Sequence, residues 1–207
     1  MANISFNPSL MTAPQNSFQL QTEGVIQGLA QDDWVTREWL LAALVASTVT
    51  IPIWGGMGVL LNNASPSPSG QGGGPVPVAA PASTTQINGF TVFDQAINMI
   101  QTPGNTVAVA VANQNVAVYQ FGSKARIPLP LASGVLASLE GASVNESPIY
   151  WDTANYNLTL TSSSSTVELP TTVKIWGLSD SARVVSYNST TGAVTWTTNQ
   201  DAAVLIL

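Results

Sequence analysis

The chain has 207 residues, a formal net charge of −6 and neither cysteine nor histidine, which excludes thiol nucleophiles, imidazole bases, disulfides and the usual zinc and copper ligand sets together. Only 8% of its residues are charged, against about a quarter in ordinary soluble domains, so most of its surface has to be neutral: kept soluble by Ser, Thr, Asn and Gln, or covered in an assembly. Five Lys and Arg against eleven Asp and Glu also argue against nucleic acid as a partner, because a phosphate backbone needs clustered cations; Lys124 and Arg126 are the one close basic pair and read as a loop edge.

In chain order, residues 1–31 follow neither a period of 2 nor one of 3.6. Ile4, Phe6, Leu10, Met11, Phe18, Leu20, Val25 and Ile26 are scattered among Asn, Gln, Ser and Pro, which reads as an extended N-terminal arm whose apolar residues bind a partner. Ordering about thirty residues costs roughly 1–2 kcal/mol each, which requires something like 1,200–2,400 Å² of apolar burial; a neighbouring subunit can offer that. The first residues have no basic or apolar stretch of the secretory kind, so synthesis in a cytoplasm is expected.

Residues 32–207 read as a single β-rich domain, interrupted by a Ser/Pro/Gly-rich excursion at 62–86. Asp32 or Asp33 is a candidate N-cap for a short helix over residues 34–44, with Trp34, Leu40, Leu41 and Leu44 available to a core. No side chain between residues 39 and 93 is ionisable, and residues 39–61 are apolar enough to raise a membrane span. The β-branched run Val45, Thr48, Val49, Thr50, Ile51, followed by Pro52 and by Gly55, Gly56 and Gly58, favours a buried strand instead, and no membrane is expected.

Further strands are expected over 90–93, 106–112, 115–121 and 126–131, with 95–101 open between strand and helix. Residues 149–151 and 156–160 form a hairpin across the turn 152–155; residues 183–187 and 193–198 form a second across 188–192, where Gly192 suits a left-handed position. Strands at 173–176 and 203–207 complete a mainly β fold: a β-sandwich or jelly-roll-like domain with an extended N-terminal arm and one short helix.

Candidate chemistry is sparse. Glycoside hydrolysis needs two carboxylates about 5 to 9 Å apart; Glu140, Glu146, Asp152, Glu168 and Asp180 are raw material for it, in no recognisable motif. Asp152 opens a tight turn, where an Asx hydrogen bond to the backbone accounts for it. Residues 70–74 are glycine-rich but lack the Lys-Ser or Lys-Thr of a phosphate cradle. Asp32, Asp33 and Glu38 lack the alternating oxygens of a calcium loop, and the Asn-x-Ser/Thr triplets at Asn3, Asn63, Asn145, Asn157 and Asn188 are what such a composition produces by chance. Of the six tryptophans, Trp151, Trp176 and Trp196 fall on expected strands, which favours core or subunit contact over a sugar-stacking platform. No catalytic residue, cofactor or metal is expected.

Several stretches together resemble the head decoration (cement) proteins of tailed bacteriophages: Met11-Thr12-Ala13-Pro14 in the arm, Ile53-Trp54-Gly55-Gly56-Met57, and Gly89-Phe90-Thr91-Val92-Phe93-Asp94-Gln95-Ala96 running on to Gly122-Ser123-Lys124-Ala125-Arg126-Ile127-Pro128. The likeness continues through Ser147-Pro148-Ile149-Tyr150-Trp151-Asp152 and the final hairpin. It implies a non-enzymatic module on the outer surface of a virion, bridging major capsid protein subunits and associating with itself as a homodimer or homotrimer. The rival reading is a carbohydrate-binding or host-attachment module of a virion; a third is a polysaccharide-cleaving enzyme built on Glu146 and Asp152.

Overall fold

In a strand buried on both faces every position must be apolar, so such a strand reads as a continuous run rather than an alternation. The computed structural model describes residues 25–31, 36–62, 77–94, 97, 106–140 and 148–207. Its elements are β1 (Leu40–Val45), β2 (Ile53–Trp54), β3 (Gly58–Asn62), β4 (Val78–Pro81), β5 (Gly89–Val92), β6 (Val109–Ala110), β7 (Asn115–Gln120), β8 (Arg126–Pro130), helix α1 (Val135–Glu140), β9 (Tyr150–Asp152), β10 (Asn157–Thr159), β11 (Thr166–Glu168), β12 (Lys174–Asn188) and β13 (Ala193–Ile206). β7 is the continuous run: Val116 and Val118 enter one core, Ala117 and Tyr119 another, and all four are buried.

The fold is mainly β, as composition and turn spacing predict. Its largest sheet closes into a five-stranded barrel in the order β1-β4-β3-β5-β7, rather than lying open as one leaf of the expected sandwich. β1 runs antiparallel to β7, with Leu40 opposite Tyr119 and Leu44 opposite Asn115, and parallel to β4, with Leu44 opposite Val78. Three-stranded sheets β12-β13-β8 and β10-β9-β11 and the pair β2-β6 lie outside the barrel. One core joins barrel residues Phe90 and Tyr119 to Ile127, Leu129 and Leu205 of the β8–β13 layer, with Trp151 between them; the Phe90 and Trp151 rings meet edge-on at 5.2 Å. A second core holds Trp54, Met57, Val59, Val118 and Val185, and there the Trp54 ring packs against Tyr156 at 5.1 Å and Tyr187 at 5.4 Å.

Both expected hairpins are present. Trp151 pairs with Leu158 across the first, and Asn188 pairs with Ala193 across the second, where Gly192 takes φ +70°. The strands expected separately at 173–176 and 203–207 are the far ends of β12 and β13.

Three readings need correction. The helix over 34–44 is described from Thr36, which is helical, through a 3-10 turn at Arg37–Trp39, and gives way at Leu40 to strand β1; Leu and Ala favour helix weakly, and the ladder to β7 overrides them. The buried strand expected through 45–51 ends at Val45, where a turn begins. The excursion over 62–86 contains barrel strand β4, whose small residues Ala79 and Ala80 fit between β1 and β3; Pro77 and Pro81 sit at its ends, where a strand tolerates proline. Residues 63–76, Asp32 and Asp33 lie outside the described residues. Helix α1, over a stretch with no element expected from the sequence, buries Leu139. Among the described residues no helix is long and apolar enough to cross a membrane.

Candidate docking surface

The arm expected over residues 1–31 meets the body at a definite place. Ile4, Phe6, Leu10, Met11, Phe18 and Leu20 lie outside the described residues. Val25 and Ile26 lie against the body: Ile26 forms a parallel bridge with Arg183 of β12, whose N–H donates to the Val25 carbonyl at 2.8 Å while the Gln27 N–H donates to the Arg183 carbonyl at 2.9 Å. The chain then crosses to β8, where the Gly28 and Gln31 N–H groups donate to the Pro128 and Arg126 carbonyls. Gln27 is fully buried, a state that an amide tolerates only with its polar atoms partnered. Its Nε2 donates to the Gly55 carbonyl at 3.2 Å and its Oε1 accepts from the Val185 N–H at 2.8 Å. One side chain thus ties the leader, the Gly55–Gly56 turn and the long hairpin together, and residues 25–31 pair with the body.

Among the described residues two tryptophans are presented outward, Trp176 at 59% exposure and Trp39 at 56%. Trp176 is the extra residue of a β-bulge: Ile175 lies opposite Leu205 and Gly177 opposite Val204, leaving Trp176 with no facing residue. The Arg126 guanidinium stacks on one face of its ring, 3.9 Å from the centroid, a cation–π contact that stiffens the pair. Trp39 closes the 3-10 turn Arg37–Trp39, pinned by the Arg37–Asp94 ion pair at 3.1 Å; Leu40, next along, packs on the core while Trp39 faces solvent. Leu29 and Val111 are also exposed. Trp151, by contrast, is buried, and Trp196 packs between Phe93 and Arg183. Sequence reasoning treated Trp176 as an ordinary strand residue, because the bulge depends on the register of a strand nearly thirty residues away.

Asp152 forms the Asx turn: its Oδ1 accepts from the Ala154 and Asn155 N–H groups at 2.8 and 3.2 Å, and its Oδ2 from the Asn155 amide at 2.8 Å. Partial burial pushes its pKa up, but these hydrogen bonds, with one from Ser165, outweigh burial and hold it below 3.8. Burial, with Tyr187 adding, lifts the Tyr156 phenol above 10.0. Glu146 lies outside the described residues. Because the folded pKa of Asp152 is depressed, its turn contributes stability above the ordinary carboxylate value that is lost as pH falls through the folded one. Asp152→Ala should therefore cost on the order of 1 kcal/mol at pH 7, and the gap to the parent protein in denaturant melts should narrow as pH falls through the folded pKa of Asp152.

A groove of about 410 Å³ lies between the barrel and β11. Leu60, Ile87 and Val167 line it together with Asn62, Gln86 and Glu168; it offers one carboxylate and no aromatic ring, a poor match to a sugar-stacking site. No three metal-ligating side chains gather among the described residues.

Comparison with known proteins finds no matching family model, no matching curated protein and no matching solved structure.

Proposed function

We propose that this chain is a non-enzymatic virion structural protein that decorates and cements the outer surface of a tailed-phage capsid by bridging major capsid protein subunits, made in the host cytoplasm and assembled onto the shell. The observation that carries this reading is the pair of rigidly mounted, more than half-exposed tryptophans, Trp39 and Trp176, on a chain with very few charges. Ordered, desolvatable aromatic anchors are what protein interfaces use as hot spots. The packing of barrel wall against the β8–β13 layer is the two-layer support we assign to this role, and residues 1–24 are the part of the arm assigned to an adjacent subunit. The carbohydrate-binding alternative is less favoured, because Arg126 already occupies one face of the Trp176 ring that a sugar would stack on.

The test is co-sedimentation of the purified protein with undecorated capsids of the phage that encodes it. Saturable binding at a fixed ratio to the major capsid protein is expected. Trp176→Ala and Trp39→Ala should each change folding stability by less than about 1 kcal/mol while weakening shell binding by about 2 kcal/mol. Full-strength binding by the double variant, or fluorescence quenching of the parent on a glycan array, would overturn the reading.

A further inference from the structure

β11 is an outer strand of the sheet β10-β9-β11. Antiparallel strands exchange hydrogen bonds at alternate residues. The bonds that bracket the pair run from the Thr153 N–H to the Ser165 carbonyl at 2.9 Å and from the Leu169 N–H to the Ile149 carbonyl at 2.8 Å, which sets Ser165, Val167 and Leu169 toward β9. Thr166 and Glu168 therefore turn their backbone groups the other way. The Thr166 N–H is taken by the Ser163 carbonyl at 3.3 Å. The Thr166 carbonyl and both backbone groups of Glu168 have no partner among the described residues, and the chain flanking β11 is described throughout, from residue 148 to residue 207. An unpaired edge of this kind is a template for another strand, and here it borders the groove of about 410 Å³ that Val167, Glu168 and Pro170 line from one side. On the barrel side the Leu61 N–H is already capped by the Asn88 Oδ1 at 2.8 Å, so the wall that offers backbone for pairing is β11.

We propose that this groove takes an extended peptide segment of a protein partner, paired as an added strand along β11 and carrying a lysine or arginine against Glu168. The charge argument commits the occupant. No side chain between residues 39 and 93 is ionisable, so the barrel wall brings no charge and the Glu168 carboxylate is the only one lining the groove. A cation entering it meets one anion and no competitor. The chain's own five cations, Arg37, Lys124, Arg126, Lys174 and Arg183, all lie among the described residues, and none of them lines the groove. No undescribed stretch of the chain carries a lysine or arginine to place there, which points to a different protein. In strand addition the main chain supplies affinity and a side-chain contact supplies choice. Three residues of strand span only about 10 Å, so the contact is weak alone and suits a component held at many points at once. The inference goes beyond the shell-binding reading and takes from it only the partner's identity, a capsid subunit.

The test is an amide-resolved titration of the isolated full chain with the peptide acetyl-Val-Thr-Lys-Thr-Val-amide. Saturable shifts centred on the Glu168 N–H are expected, with a dissociation constant of about 1 mM or below, together with slowed hydrogen exchange of that group. Replacing the peptide's lysine by glutamate should weaken binding about threefold or more at low salt, and the difference should vanish in Glu168→Gln, an exposed substitution that leaves the melt unchanged. A strand pairs through alternate N–H groups, so of two peptides N-methylated on the two alternating sets, one should bind as the parent does and the other should not. Equal binding by both, or no saturable shift at Glu168, would refute the added strand. So would a Glu168 N–H that exchanges slowly in the free protein, which would show residues 63–76 or a second copy already covering the edge. All readouts are taken without capsids, so failure here leaves shell binding to be judged by its own experiment.

Discussion

A chain lacking residues 1–24 should melt within a few degrees of the full protein, whereas one lacking residues 1–31 should lose about 4 kcal/mol or more. The difference lies in the seven residues 25–31, which pair with the body. Removing them strips partners from the Arg183 and Val185 N–H groups and from the Phe93 N–H, which donates to the Gly28 carbonyl at 2.9 Å. Val185 and Phe93 are themselves buried, and each buried polar group left without a partner costs roughly 1–3 kcal/mol. Under the proposed function both truncations lose shell binding, but only the shorter one isolates the arm's contribution from that of the fold. Denaturant melts and capsid co-sedimentation of the two proteins side by side test this. Equal stability of the two would mean that the leader's backbone pairing is not part of the cooperative fold; undiminished shell binding by the chain without residues 1–24 would remove the arm from the interface.

The parts of the fold that were legible in the sequence are those set by local chemistry. Asp152 at the head of a four-residue turn and Gly192 past a run of Asn, Ser and Thr each impose a backbone geometry that few neighbours could override, and both hairpins follow. The uninterrupted Val116–Tyr119 run signals two-sided burial in the same way. What could not be read depends on partners distant in the chain. Leu40–Val45 is spelled in helix-forming residues and becomes a strand because β7 is there to receive it. Val78–Pro81 looks like linker because its small residues and prolines are suited to a narrow place in a barrel that no local pattern announces. The candidate docking surface was the least legible: the outward turn of Trp176 is a property of its register against β13, and the Arg126 that stacks on it is fifty residues away. Gln27 had no sequence signal except the glycine beside it.

That glycine supports the sharpest test of how the leader is seated. Gly28 sits at φ +70°, and a Cβ built on it would lie 2.2 Å from the Gly55 carbonyl carbon and 2.5 Å from the Gly56 nitrogen. These are backbone atoms, and Gly55 in turn has the Phe93 ring against it, so the turn has nowhere to retreat. Gly192 has the same φ, yet nothing lies within 4 Å of its absent Cβ. The two positions therefore separate the cost of the left-handed backbone from the cost of the clash. Gly192→Ala should lose about 1–2 kcal/mol, the penalty of the conformation alone, whereas Gly28→Ala should lose about 3–5 kcal/mol, because overpacking adds to it. Gln27→Ala, which removes the amide but leaves the backbone seated, should fall between them and should not reproduce the full loss of Gly28→Ala. If Gly28→Ala melts like Gly192→Ala, the leader can lift from the Gly55–Gly56 turn at little cost, and the body must then be held together by the two cores without this clamp.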